Sequence, residues 1–113
     1  MNINDVIEDG NRYYKLSAGK TVKVVFENKF EKKVSDYNGK TSVKYECACT
    51  IKDGIEVLQK TWSGSSKFYQ ECLDMAGANG MDFGRAVFNI TRTGEGAETR
   101  YTSVFVGEVS ALS

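Results

Sequence analysis

The chain has 113 residues and carries 15 cationic and 15 anionic side chains, so its formal net charge is zero, with 41% of residues hydrophobic and 27% charged. This is the size and balance of one globular domain able to bury a core without metal or disulfide staples, and it excludes a uniformly basic nucleic-acid binder: any electrostatic recognition has to come from where the charges sit. Histidine and proline are absent, which removes the commonest general base and metal ligand and leaves turns to Gly, Asn and Asp.

Residues 1–11 read as a polar lead-in, expected to be mobile. They are acidic and lack the basic-then-apolar pattern of a secretory signal, and no stretch approaches the ~20 apolar residues of a membrane span. A cytoplasmic location is the expectation, that of the host if the chain is phage-encoded. A short extended piece over 12–16 precedes the first strong strand, Thr21–Phe26. Residues 28–40 are polar and basic, carry Phe30 and Tyr37 and contain the turn signal Asn38-Gly39, and so predict a hairpin extension or long loop. The second strand shows the clearest alternation: Val43, Tyr45, Cys47, Cys49 and Ile51 share one face, and Lys44, Glu46, Ala48 and Thr50 the other. After the tight turn Lys52-Asp53-Gly54 comes a third strand, 55–62, with Leu58 and Trp62 on one face. At Ser63-Gly-Ser-Ser66 the period changes to helical, with Phe68, Cys72, Met75 and Ala76 spaced for one face and Gly77 or Gly80 as the stop. Strands four (86–91) and five (99–106) close the chain, joined by Thr93-Gly-Glu-Gly-Ala97.

Three strands, a helix, then two strands predict one all-β domain with a small helical component: a five-stranded OB-fold Greek-key barrel over 1–113, with its helix between strands three and four. In that fold ligands bind on strands two and three, flanked by the one–two and four–five connections.

Catalytic chemistry finds no footing. Without His there is no Ser-His-Asp or Cys-His arrangement, no Walker A sequence is present, and the paired carboxylates Asp53/Glu56 and Glu95/Glu98 read as solvated surface. Cys47, Cys49 and Cys72 are odd in number and form no CxxC pair, so they read as buried free thiols. No enzyme activity, cofactor or metal is expected.

Binding single-stranded nucleic acid needs cations along a groove and aromatic faces on which bases stack. Lys29, Lys32, Lys33, Lys40 and Lys44 surround the first long connection, interleaved with Phe30 and Tyr37. Lys60, Trp62 and Lys67 form a second group at the end of strand three, and Arg92, Arg100 and Tyr101 bracket the four–five connection. These thirteen residues are the candidate site. Each has a structural alternative: the loop lysines as a solvated, aggregation-resistant edge, Trp62 and Tyr101 as core. The sharpest expectation is that Trp62 stacks on a base while Arg92 and Arg100 hold phosphates beside it.

One segment adds to this. Trp62-Ser-Gly-Ser-Ser-Lys67, a short helix, then Phe83-Gly-Arg-Ala-Val-Phe-Asn-Ile-Thr-Arg-Thr-Gly-Glu-Gly-Ala-Glu-Thr-Arg-Tyr101 resembles the single-stranded DNA-binding OB proteins of phages over about residues 62–106. The match rests on Gly84-Arg85, Ile90-Thr-Arg-Thr-Gly94, Gly96 and Thr99-Arg-Tyr101; Ala86 stands where the family has an acid. The resemblance implies an OB-fold, largely sequence-independent binding of single-stranded DNA, and a role in replication, recombination or repair beside proteins of those processes. Some relatives hold zinc, for which this chain offers no ligand set. Many recruit partners through an acidic C-terminal tail; this sequence ends Gly107-Glu-Val-Ser-Ala-Leu-Ser113, so either it is a truncated form or recruitment works differently. The competing expectation is an OB-type protein-interaction or structural module; an RNA-binding cold-shock role is disfavoured because no aromatic-rich RNP-type strand is present.

Overall fold

The computed structural model describes residues 12–109, the side chain of Tyr37 excepted; the expected mobile lead-in over 1–11 lies outside them. Among the described residues five strands run β1 (Thr21–Tyr37), β2 (Lys40–Asp53), β3 (Glu56–Gly64), β4 (Ala86–Thr93) and β5 (Arg100–Glu108), with one α-helix, α1 (Ser66–Ala78), between β3 and β4. They form a single antiparallel sheet in the order β3-β2-β1-β4-β5. The fold is therefore mostly antiparallel β with one helix in the expected place. The sheet is not closed into a barrel, because its two edges, β3 and β5, share no ladder. Between them stand side chains instead: Trp62 of β3 meets Tyr101 of β5 edge-on at 5.8 Å, and α1 packs beneath.

The alternation in the sequence becomes the core. Val22, Val24 and Phe26 of β1 lie opposite Ile90 and Phe88 of β4 and Ile51 and Cys49 of β2, and all of them are buried. Phe68, Tyr69, Cys72 and Ala76 of α1 cover this face. Ser65 caps the helix, its hydroxyl oxygen accepting from the Phe68 N–H at 3.2 Å. Gly80, at φ +64, follows the C-cap Asn79, so Gly80 ends the helix and Gly77 lies within it.

β1 is far longer than its apolar run. Phe26 faces Cys49 and Phe30 faces Cys47, so Glu27, Asn28 and Lys29 stand against Ala48 alone. The bulge adds two residues, an even number, and therefore keeps Phe26 and Phe30 on the same inner face; one extra residue would have turned the rest of the strand inside out. Beyond it, residues 31–37 pair with 40–46 as a two-stranded arm whose tip turns at Asn38-Gly39, both at positive φ. The hairpin extension over 28–40 is thus a continuous strand as far as the turn. The other end of the molecule is tied down by residues 12–20: Tyr14 and Thr61 bond through backbone at 3.1 Å, and Leu16 is buried.

Candidate functional site

A groove of about 600 Å³ opens at the seam between the two sheet edges. One wall is the end of β3 with the start of α1, from Trp62 to Phe68; the other is the start of β5, Thr99–Thr102; Val43 and Lys44, at the base of the arm, complete it. Lys44, Lys67 and Arg100 line it against one carboxylate, Glu71. Three cations less one anion leave a local charge of +2 in a chain that is neutral overall. The first turn of α1 holds no acidic residue, so the partial positive charge of the helix N-terminus adds to that field instead of being neutralised.

The turn before β5 positions Arg100 and Tyr101. Gly94 sits at φ +75, and a Cβ there would come within 2.2 Å of the Glu98 carbonyl oxygen, so only glycine lets the turn close this tightly. Gly96, at φ +55, reverses the chain a second time. Both glycines of the Arg-Thr-Gly-x-Gly segment thus carry the positive φ that a hairpin connection requires. Arg100 emerges exposed, with Nη1 donating to the Thr99 carbonyl at 2.9 Å. Tyr101 is 41% exposed, its ring steadied by edge contacts with Trp62 at 5.8 Å and Phe68 at 6.3 Å. Among the described aromatic residues lining the groove, Trp62 and Phe68 are buried, so Tyr101 is the ring with open surface.

The candidate residues therefore divide. Lys44, Trp62, Lys67, Arg100 and Tyr101 are brought together. Trp62, however, is only 4% exposed; it stacks on Phe68 at 5.8 Å and on Tyr14 at 6.1 Å and meets Phe26 edge-on. The expectation that it offers a face to a base is corrected: the helix and residues 12–16 cover it, and its place is the core. Arg92 is likewise corrected. Its Nη1 donates to the Leu16 carbonyl at 2.7 Å, and its backbone bonds Gly19 and Lys20, so it fastens the 16–20 segment to β4 and does not reach the groove. Phe30 is half-buried against Tyr69 at 5.0 Å and Phe83 at 5.5 Å, a core ring and not a free platform. Lys60 is partly buried on β3, outside the groove lining.

Lys32, Lys33 and Lys40 are exposed along the arm, Lys29 is exposed on the bulge, and the backbone of Tyr37 ends β1 opposite Lys40. Two of these cations, Lys33 and Lys29, have carboxylates beside them. Lys33 bonds Glu31 at 3.0 Å and holds its carboxyl below the usual range. Lys29 shares a shallow depression with Glu27, Glu31 and Glu46, and Glu46 accepts from Arg12 and from the Tyr13 hydroxyl. Ser63, Ser65, Thr99 and Thr102 also line the groove and were not among the expected site residues. Ser63 and Ser65 lie in the Ser63–Ser66 run read as a helix entry, and Thr99 lies in the segment that carries the resemblance.

Among the described residues, no group of three His, Cys, Asp or Glu side chains could hold a metal ion, and no helix is long and apolar enough to cross a membrane. No protein-family model matches the chain, and neither a curated protein nor a solved structure is found similar to it.

Proposed function

We propose that this chain is a non-enzymatic, OB-type single-stranded DNA-binding protein that holds its ligand in the groove between β3 and β5. The observation that carries the reading is the exposed ring of Tyr101 set among Lys44, Lys67 and Arg100, beside an uncompensated helix N-terminus. A stacking surface within a local cation cluster is what sequence-tolerant single-strand recognition requires. The order β3-β2-β1-β4-β5, the helix after the third strand, and a groove between the arm and the β4–β5 turn support an OB topology left open at the β3–β5 seam. The resemblance over residues 62–106 supports DNA as the ligand and replication, recombination or repair in a cytoplasm as the setting.

The test is a titration with dT, rU and duplex oligonucleotides at two salt concentrations. Single-stranded DNA is expected to bind without strong sequence preference, duplex much more weakly, and log affinity to fall linearly with log salt at about 0.7 per phosphate neutralised. Equal affinity for duplex and single strand overturns the reading. Absence of binding to every oligonucleotide favours the alternative, an OB-type protein-interaction module.

A further inference from the structure

β1 and β2 set like charges directly opposite each other at three places: Glu31 against Glu46, Lys33 against Lys44, and Lys23 against Lys52. Such pairs are destabilising on neighbouring strands. The first two lie side by side, and the chain neutralises them from within. Lys33 bonds Glu31 at 3.0 Å, Arg12 bonds Glu46 at 3.0 Å, and the Tyr13 hydroxyl donates to the other Glu46 oxygen at 2.8 Å. The third pair is treated differently. Lys23 lies between the buried Val22 and Val24, so its side chain leaves the sheet on the face away from the core, as does that of Lys52 beside the buried Ile51. Its neighbours on that face, Thr21, Val25, Thr50 and Asn89, carry no charge. Among the described residues no carboxylate bonds either lysine. The two border a depression of about 310 Å³ that also includes Thr21 and Asn89 and has no acidic side chain in its lining.

This depression connects with the groove at the β3–β5 seam. Thr102 lines the groove and stands opposite Thr91 of β4; Thr91 stands opposite Thr21 of β1, which lines the depression. The Thr21 and Thr91 hydroxyls bond each other at 2.7 Å. Thr91 follows the buried Ile90 and Thr102 precedes Ser103, which turns in to Cys72, so the three threonines share the outer face. They form an uncharged, hydroxyl-lined step between two groups of cations, about 14 Å from β5 to β2 at the usual strand spacing. We propose that Lys23 and Lys52, with the Asn89 amide beside them, form a second phosphate subsite, which holds the backbone of a single strand that leaves the groove over Thr102 and crosses the outer face of β4. The inference rests on the single-strand reading for its ligand. A phosphate between two facing ammonium groups replaces a repulsive pair with two charge-assisted hydrogen bonds, the counterpart of what Lys33, Arg12 and Tyr13 do for the glutamates.

The experiment measures binding of oligo-dT of increasing length, from about 4 to about 16 nucleotides, the range one OB domain covers. The proteins compared are the full-length wild type, the double variant Lys23→Gln/Lys52→Gln, and Tyr101→Ala. The double variant is expected to match the wild type on the shortest oligonucleotide, which the groove alone holds, and to fall further behind as length grows. On the longest, its slope of log affinity against log salt is expected to be shallower by about 1.4, two phosphates at about 0.7 each. Tyr101→Ala is expected to weaken binding at every length. Without DNA the double variant is expected to melt no lower than the wild type, because a facing pair of like charges has been removed. A double variant that binds every length like the wild type overturns the subsite and leaves the groove standing; a site for a free phosphate compound would give that result. A double variant weakened equally at every length overturns it too, since the lysines would then act only through the general field of the protein. A wild type that binds no oligonucleotide of any length overturns the single-strand reading, and the subsite falls with it.

Discussion

The ring cluster beneath α1 and the rim of the groove above it are built from the same kinds of residue, and they touch where Trp62 meets Tyr101. Below that contact, Phe26, Trp62, Phe68, Tyr69 and Phe83 pack on one another, and the Tyr69 hydroxyl donates to the Trp62 carbonyl at 2.6 Å. Burial pushes the Tyr69 phenol well above its ordinary pKa, so it stays a donor at any physiological pH. Above the contact, Tyr101 and Arg100 are exposed. The arginines split in the same way: Arg92 is spent on the Leu16 carbonyl, while Arg100, on the facing strand, stands at the rim. Residue type therefore did not decide which ring or cation stands exposed at the rim. What decided it was whether the helix and the 12–20 segment lie over the position.

The comparison is broken most forcefully at Trp62. Trp62→Ala is expected to cost about 3–5 kcal/mol of stability, the usual penalty for emptying an aromatic site in a core, read from a denaturant melt. Binding of oligo-dT by the fraction that remains folded should be little changed; a stable mutant with lost binding would return Trp62 to the ligand face. Tyr101→Ala should do the reverse, losing about 1–3 kcal/mol of binding, as base–aromatic stacking usually does, with a small shift in melting temperature. Loss of both or of neither would erase the distinction between cluster and rim. The smallest effect is expected on the arm. Replacing Lys32 and Lys33 by alanine should flatten the salt dependence by about 0.7 per phosphate contact removed, and an unchanged slope would mean that Lys33 serves only Glu31.

Much of the fold was legible because two periodicities are strong. The alternation from Val43 to Ile51 fixed the face of β2, and the spacing of Phe68, Cys72 and Ala76 fixed the buried side of α1. The continuation of β1 through residues 28–37 was legible only as either a hairpin extension or a long loop, because the arm is exposed on both faces and leaves no alternation to decide between them. Strand parity placed Lys60 and Trp62 on one face but could not say that Tyr14 and α1 would cover that face. Arg92 was misassigned for a similar reason: its partner is a backbone carbonyl 76 positions away, and nothing in the type of either residue announces it. The cluster of Lys44, Lys67, Arg100 and Tyr101 was legible because cations and rings were counted together, and the groove lining brings them together.

The three cysteines have a consequence for how the molecule can be watched. Burial raises the thiol pKa values to about 11 for Cys47, about 12 for Cys49 and about 11 for Cys72, against an ordinary value of 9.0. Protonated and covered, they should resist alkylation while the fold is closed. The same shift sets an alkaline limit. The stability linked to these groups is present in full below about pH 9 and is lost as the pH climbs toward 11–12, because the unfolded thiols ionise first. Below that limit each thiol is a clock. Cys72 donates to the Ser103 hydroxyl at 3.4 Å across the contact between α1 and β5, so its labelling rate times the parting of helix from strand. Cys47 and Cys49 lie mid-way along β2 on the face that the helix covers, beside Tyr69, and should become reactive in the same opening that uncovers Cys72.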